Sequence, residues 1–312
     1  MVIGIARSVR WGTGAADTVF AWTPPGPGAT GLLEGIRLRP GADRPVDRLR
    51  FGTYLASNDA TLRLYELVTE EVGRRLGVPT ELVVESSYES CERDQNEVCF
   101  VCSLPYVLFE RRGLDLAVPV AAPLLDGERY EGRPIYFSDV IVHRDAPFRS
   151  FLDLRGRSWA YNEPLSHSGY GITRYHLVKL NETAGFFDRV IEAGFHREAI
   201  GMVARKEVDG SAIDSQVLEI ELRDDPELRD QLRVVETLGP STIQPVAVSQ
   251  RVPEDLREAV RDAIVTMAED PETRARLALA LVRRFVSIDG RAYDDIRRML
   301  EACEEAGFLE LR

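Results

Sequence analysis

Ser158-Trp159-Ala160-Tyr161-Asn162-Glu163-Pro164-Leu165-Ser166-His167-Ser168-Gly169-Tyr170 decides how this chain folds. Its first four residues read as a β-strand that runs into a loop of hydroxyls and glycine, and beyond it Ile172 and Tyr175 open an amphipathic helix. A strand whose polar end becomes a helix start is the repeating unit of α/β folds. The same arrangement is also an anion cradle in chemical terms. A helix start leaves several N–H groups without intrahelical partners and carries about half a positive charge, so bare amides and serine hydroxyls together can hold a tetrahedral oxyanion. The plainer reading of Ser166 to Tyr170 is an ordinary serine N-cap, and the surrounding sequence has to decide between the two.

Upstream, Tyr136-Phe137-Ser138-Asp139-Val140-Ile141-Val142 reads as a strand followed by Phe151-Leu152-Asp153-Leu154-Arg155-Gly156. Downstream, Gly194-Phe195-His196 precedes a helix through Val203, and residues 208–214 give a short strand that ends in the carboxylate of Asp214. Residues 232–237 and 243–248 read as extended, and Pro253 opens a helix with Leu256, Val260, Ile264 and Met267 at helical spacing. Nearer the N-terminus, residues 49–55 read as a strand. Asn58 or Asp59 then caps a helix whose Leu64, Leu67, Val68, Val72 and Leu76 share one face, ending near Gly77 with Pro79 beyond. Residues 81–85 and 97–103 form the next strands. Each of these strands leads into a polar or aromatic loop, at Tyr54, at Ser86-Ser87-Tyr88 and at Ser103-Leu104-Pro105-Tyr106, and ligands collect at such ends in open parallel sheets. The pattern predicts an α/β fold with a largely parallel sheet.

Composition bounds the function. The 312 residues are 44% apolar and 29% charged, enough for one large or two medium domains, and no run reaches the ~18 apolar residues of a membrane helix. The net charge of −12, from 39 basic and 51 acidic residues, opposes a general nucleic-acid or anionic-membrane partner. A local anion pocket is compatible with it. Residues 1–48, with five Pro and eight Gly, read as a poorly ordered or atypical extension, although Trp11, Val19, Phe20 and Trp22 are able to pack. The opening Met1-Val2-Ile3-Gly4-Ile5-Ala6-Arg7 breaks too soon for an export signal, so the chain as written is expected in the cytoplasm. Cys99 and Cys102 form a lone C-x-x-C inside an apolar strand, which favours core packing over metal or redox work, and Cys303 lies on the helical stripe of Tyr293, Ile296 and Leu300. No metal or cofactor is expected.

These segments resemble the substrate-binding proteins of phosphate, phosphite and phosphonate ABC transporters, a branch of the type II periplasmic binding proteins. The resemblance is strongest over residues 136–214. It lies in Y-x-S at Tyr136 to Ser138, F-x-D-L-R-G at Phe151 to Gly156, S-x-S-G at Ser166 to Gly169, Phe186-Phe187 followed by Gly194-Phe195-His196, and Ala212-Ile213-Asp214. It implies two α/β lobes joined by two crossing strands, with a ligand cleft between them that closes by a hinge motion. The first lobe is then placed at residues 49–137 plus 238–312 and the second at 138–237, with crossovers near residues 137–142 and 234–240. Carried over by motif, Tyr88 and Tyr106 supply phenolic donors from one lobe, while Ser166, His167, Ser168, Gly169, His196 and Asp214 line the other. Tyr54 joins them from its place at a strand end. Two positions depart from the pattern: His167 stands where the family usually has threonine, and Glu97 where its G-x-V-D turn has aspartate.

The function so implied is capture of a small phosphonate-, phosphite- or phosphate-like oxyanion for an ABC importer, by a monomer whose partners are the ligand and a permease. A cytoplasmic ligand sensor of the same fold is the alternative. Ser168, His196 and Asp214 include the residue types of a hydrolytic triad, but their chain order matches none of the common arrangements and the G-x-S-x-G elbow is missing. No enzymatic role is therefore expected. Asp214 would repel a fully ionised ligand, and it is useful if it accepts a hydrogen bond from a P–OH, a substrate ammonium or His196.

Overall fold

A computed structural model describes residues 18–23, 48–55, 58–113 and 117–312. Most of the atypical segment 1–48 lies outside the described residues. The part within them, Thr18–Trp22, is a strand, β1.

The helix Asp59–Leu76 shows why the sequence was readable here. Asn58 accepts the N–H of Thr61 at 2.9 Å, Leu64, Leu67, Val68 and Val72 are buried, and Gly77 stops the helix with a φ of 66° that a side chain would resist. The strand β2 (Leu49–Thr53) precedes it and β3 (Thr80–Val84) and β4 (Val98–Phe100) follow. β2 pairs in parallel with both. Further on come β5 (Ala117–Leu125), β6 (Ile135–His143), β7 (Ser158–Tyr161), β8 (Arg189–Glu192), β9 (Gly210–Asp214), β10 (Leu232–Thr242), β11 (Val246–Ser249) and β12 (Val282–Ser287).

Among the described residues these strands form two sheets, ordered β1-β3-β2-β4-β11-β5-β12 and β10-β6-β9-β7-β8. The largely parallel sheet expected from the sequence is in fact mixed. β1, β11, β5 and β12 join the first sheet through antiparallel pairs, as β10 and β6 join the second. The βα alternation that suggests parallel pairing holds at β2-β3-β4 and at β7-β8-β9, whereas the remaining strands run back against their neighbours.

The chain divides into two compact units made of interleaved segments. The first takes the chain up to Val101, then Leu108–Glu128 and Gln244–Gly290; the second takes Cys102–Val107, Arg129–Ile243 and Arg291–Arg312. The residues 137–142 and 234–240, where the crossovers were expected, lie on β6 and β10 and pair with each other inside the second unit. The C-terminal segment, grouped with the first lobe from sequence, also belongs to the second unit. Phe308 and Leu311 are buried in its apolar cluster, and Arg174 Nε donates to the Phe308 carbonyl at 3.2 Å.

That cluster is what sets β7 in place. Trp159 stacks on Phe187 with ring centroids 4.7 Å apart, and Phe151 stacks on Phe186 at 5.2 Å. Ala160, the next residue, faces the opposite core with Ile141, Ile213 and Ile200. Each buried aromatic here contributes about 2–3 kcal/mol. With both faces of β7 committed, the chain beyond Tyr161 has a fixed starting point.

Candidate functional site

The serine loop leaves β7 and enters a single π-turn, His167–Gly171, that continues as the helix Ile172–Lys179. Ser166 is the N-cap, its Oγ accepting the Gly169 N–H at 3.2 Å, so the plainer reading of this residue holds. Ser166 also does more than cap. Its Oγ lies 3.3 Å from Ser168 Oγ, and Ser168 Oγ lies 2.8 Å from Nε2 of His196, the first residue of the helix His196–Ala204. The Tyr136 hydroxyl, from β6, is a further hydrogen-bond neighbour of Ser168. Ser166, Ser168, Tyr136 and His196 are all buried, and the wider π-turn lets two hydroxyls of one loop reach a common point.

Gly169 is required by close packing. A Cβ there would sit 2.1 Å from Oδ1 of Asn162, at the end of β7. His167 takes a different direction from its neighbours. Its Nε2 is 3.0 Å from Ser241 Oγ on β10, its ring meets the Tyr136 ring edge-on at 6.4 Å, and its backbone N–H donates to the Cys102 thiol.

The hydrogen-bonded set contains no lysine or arginine. Burial pushes His196 down to about 4 and His167 down to about 3, so both rings are neutral at physiological pH. The π-turn packs on β9, whose last residue is Asp214. Asp214 Oδ1 caps the helix Ser215–Asp224 by accepting the N–H groups of Gln216 at 2.8 Å and Val217 at 3.3 Å. Burial nevertheless pushes its carboxyl up to about 7, against these hydrogen bonds and with a further push from Asp139 and Glu219. Asp139 itself is held by a two-pronged pair with Arg129, at 2.7 and 2.9 Å, and by Thr237 Oγ1 at 2.8 Å. The result is a buried cluster of neutral hydrogen-bonding groups, packed on a strand that ends in a carboxyl shifted up to about 7.

A hydrolytic triad is not formed. Nδ1 of His196, which a triad carboxylate would hold, has no hydrogen-bond partner, and Asp214 is engaged at the start of its own helix.

The three tyrosines expected at the site lie on other elements. Tyr54 and Tyr88 belong to the first unit, where their rings meet edge-on at 5.1 Å and Tyr88 also contacts Phe109. Tyr106 belongs to the second, but the loop expected at Ser103 to Tyr106 is the start of the helix Ser103–Arg111. Its ring packs edge-on against Tyr293 at 4.9 Å. The C-x-x-C cysteines have separate partners: Cys99 is hydrogen-bonded to Cys91, and burial holds the Cys102 thiol up at about 11. Among the described residues no group of three or more His, Cys, Asp or Glu could hold a metal ion, and no helix is long and apolar enough to cross a membrane. Of the site residues that sequence reading left out, Ser241 and Tyr136 come from strands distant in the chain, whereas Asn162 directly follows β7; only Tyr136 carried a signal, in its Y-x-S motif.

Comparison with known proteins identifies the family. The family model for the periplasmic substrate-binding protein of phosphonate ABC transporters matches residues 52–293. The phosphonates-binding periplasmic protein of Escherichia coli (strain K12) is 26% identical over 152 residues, 47% of this chain and 45% of that protein. The match thus spans about half the length of each. In structure, a binding protein component of an ABC phosphonate transporter from Pseudomonas aeruginosa superposes with a TM-score of 0.70 at 18% identity, over 81% of this chain and 85% of that one. PhnD1 from Prochlorococcus marinus (MIT 9301), solved in complex with methylphosphonate, gives a TM-score of 0.72 at 16% identity, over 84% and 98%. Both show a type II periplasmic-binding-protein fold. The cytoplasmic location expected from the opening residues is overturned, because the matching family and the curated relative are periplasmic and therefore extracytoplasmic. With a family match over residues 52–293, this chain belongs to the periplasmic substrate-binding proteins of phosphonate ABC transporters.

Proposed function

We propose that this protein captures a small phosphonate-type oxyanion and hands it to an ABC permease, acting as a monomer. The observation that carries the reading is the buried chain Ser166 Oγ, Ser168 Oγ, His196 Nε2 at a helix start, with Tyr136 beside it. Hydroxyls and a neutral imidazole donate to phosphoryl oxygens, and the positive end of the helix favours the charge. Asp214 is the element that discriminates. As a neutral carboxyl below pH 7 it does not repel the anion, and as a carboxylate it accepts from a P–OH, which sulfate lacks near neutral pH.

The Tyr54–Tyr88 pair of the first unit is a separate candidate, tested by Tyr88→Phe. The reading as a whole is tested by thermal shift against methylphosphonate, inorganic phosphate and sulfate. Bound ligand raises the melting temperature by mass action. Above pH 7, where Asp214 is a carboxylate, stabilisation by a phosphonate or phosphate and none by sulfate is the expected result. No stabilisation by either phosphorus oxyanion at millimolar concentration would refute it.

A further inference from the structure

His167 occupies the centre of the serine loop, yet its contacts run to the sheet behind that loop. Ser241 and Tyr136 are cross-strand partners on β10 and β6, and His167 engages both, through Nε2 on Ser241 Oγ at 3.0 Å and through the edge of its ring on Tyr136. All three side chains are at most 2% exposed. The backbone of His167 is tied as well, by its N–H on the Cys102 thiol and by its carbonyl, which accepts the Ile172 N–H. Tyr136 in turn reaches Ser168, so the strand pair that holds His167 also touches the hydroxyl at the centre of the cluster. The β10 pairing shifts register between Leu238 and Ser241, which places Ser241 at a local irregularity.

We infer that His167 is a positioning residue rather than a ligand donor: with Ser241 it fastens the serine loop to the β6–β10 pair, and so fixes where Ser166 and Ser168 point. This rests on the proposed oxyanion site for its effect on affinity, but the fastening itself exists with or without ligand. Nε2 is taken up by Ser241, so that nitrogen acts on an oxyanion at the serines through the placement of the loop. A direct donor in its place would need a nitrogen free to turn toward the anion. Gly171 adds to the constraint, since a Cβ at that residue would come within 3.0 Å of His167 Nδ1.

The test uses His167→Phe, which keeps a ring but no hydrogen bond, His167→Gln, whose amide can still reach Ser241, Ser241→Ala, and the His167→Phe/Ser241→Ala double variant. In the ligand-free protein, amide exchange at residues 168–171 is expected to rise by about tenfold in His167→Phe and in Ser241→Ala, with the double variant no faster than either single one. Calorimetry with methylphosphonate is expected to show affinity falling by about tenfold in each single variant, without further multiplication in the double, and recovering to within about threefold of the parent in His167→Gln. Melting curves identify any variant that fails to fold, and Ser241→Ala, the milder change, carries the test if His167→Phe does. Unchanged loop exchange in Ser241→Ala overturns the inference. So does strong loss of affinity in His167→Phe with none in Ser241→Ala, the signature of a direct ligand contact. If the parent protein binds no phosphorus oxyanion, the functional reading fails while the exchange result still decides the fastening.

Discussion

Asp214 does two jobs that pull its chemistry in opposite directions. As a helix cap it benefits from being charged, because two backbone N–H groups point at its Oδ1; as a buried group it is driven toward neutrality, and burial wins, raising the carboxyl to about 7. In the unfolded chain it ionises near 3.8, so its contribution to stability is fullest below that pH and is lost as pH rises through 7. His167 and His196 act in the reverse sense. Both are neutral when folded and protonate near 6.5 when unfolded, so their contribution is fullest above 6.5 and is lost as pH falls toward 4 and then 3, by about 3 kcal/mol for His196. Asp214→Asn separates the two, because asparagine caps a helix as well as aspartate does. Melting curves of that variant are expected to lie above the parent above pH 7, to converge with it below pH 4, and to keep the acid-side loss that the histidines cause. A parent and variant with parallel pH profiles would show that Asp214 is charged throughout.

Secondary elements differ in how plainly the sequence announces them, and the differences have physical causes. The helix Asp59–Leu76 carries its own cap, stripe and stop, and the strand–loop–helix unit at Ser158 to Lys179 is legible for the same reason. Ser103 to Tyr106 reads as a loop at a strand end, whereas the structure starts a helix there, with Pro105 in the first turn where proline is well tolerated. β5 was missed altogether. Its Pro119 and Pro123 argue against a strand with neighbours on both sides; in the structure β11 pairs with Ala117–Ala121 and β12 with Ala121–Leu125, so among the described residues each proline has one paired side. β1 was hidden inside a segment whose composition resists regular structure. For the site, residue types in one loop were legible, but His167 facing Ser241 depends on a partner from another strand, and Gly169 facing Asn162 depends on how the loop turns back on the end of β7, neither of which local pattern encodes. The last of these is testable at the level of the element. Gly169→Ala is expected to cost about 1–3 kcal/mol in denaturant unfolding, because the added methyl overlaps Asn162 Oδ1. Asn162→Ala in the same chain is expected to restore part of that loss, since Oδ1 has no hydrogen-bond partner to forfeit. An alanine variant as stable as the parent would show that the loop has room to move.

Across the whole molecule, the net charge of −12 and the anionic ligand are at odds, and the structure reconciles them locally rather than globally. In the proposed site the donors are neutral groups at a helix start, with no lysine or arginine in the hydrogen-bonded set, so on that reading the far field is repulsive and the near field attractive. Association of a phosphonate is therefore expected to speed up as ionic strength is raised toward about 0.15 M, where charges more than about 8 Å apart are screened. Stopped-flow rates that fall with salt would point to a cationic entry path instead. Location was the feature least legible from residues, because an address is not written in a core; it came from family membership. The account as a whole stands on the serine loop as the grip. Calorimetric titration of methylphosphonate into the parent protein and into the Ser166→Ala/Ser168→Ala variant tests it most directly, with melting curves to account for the lost cap. Binding by the parent, weakened by about 2–4 kcal/mol in a variant that remains folded, is the result expected of two charge-assisted hydrogen bonds. Equal affinity in the two proteins would contradict it.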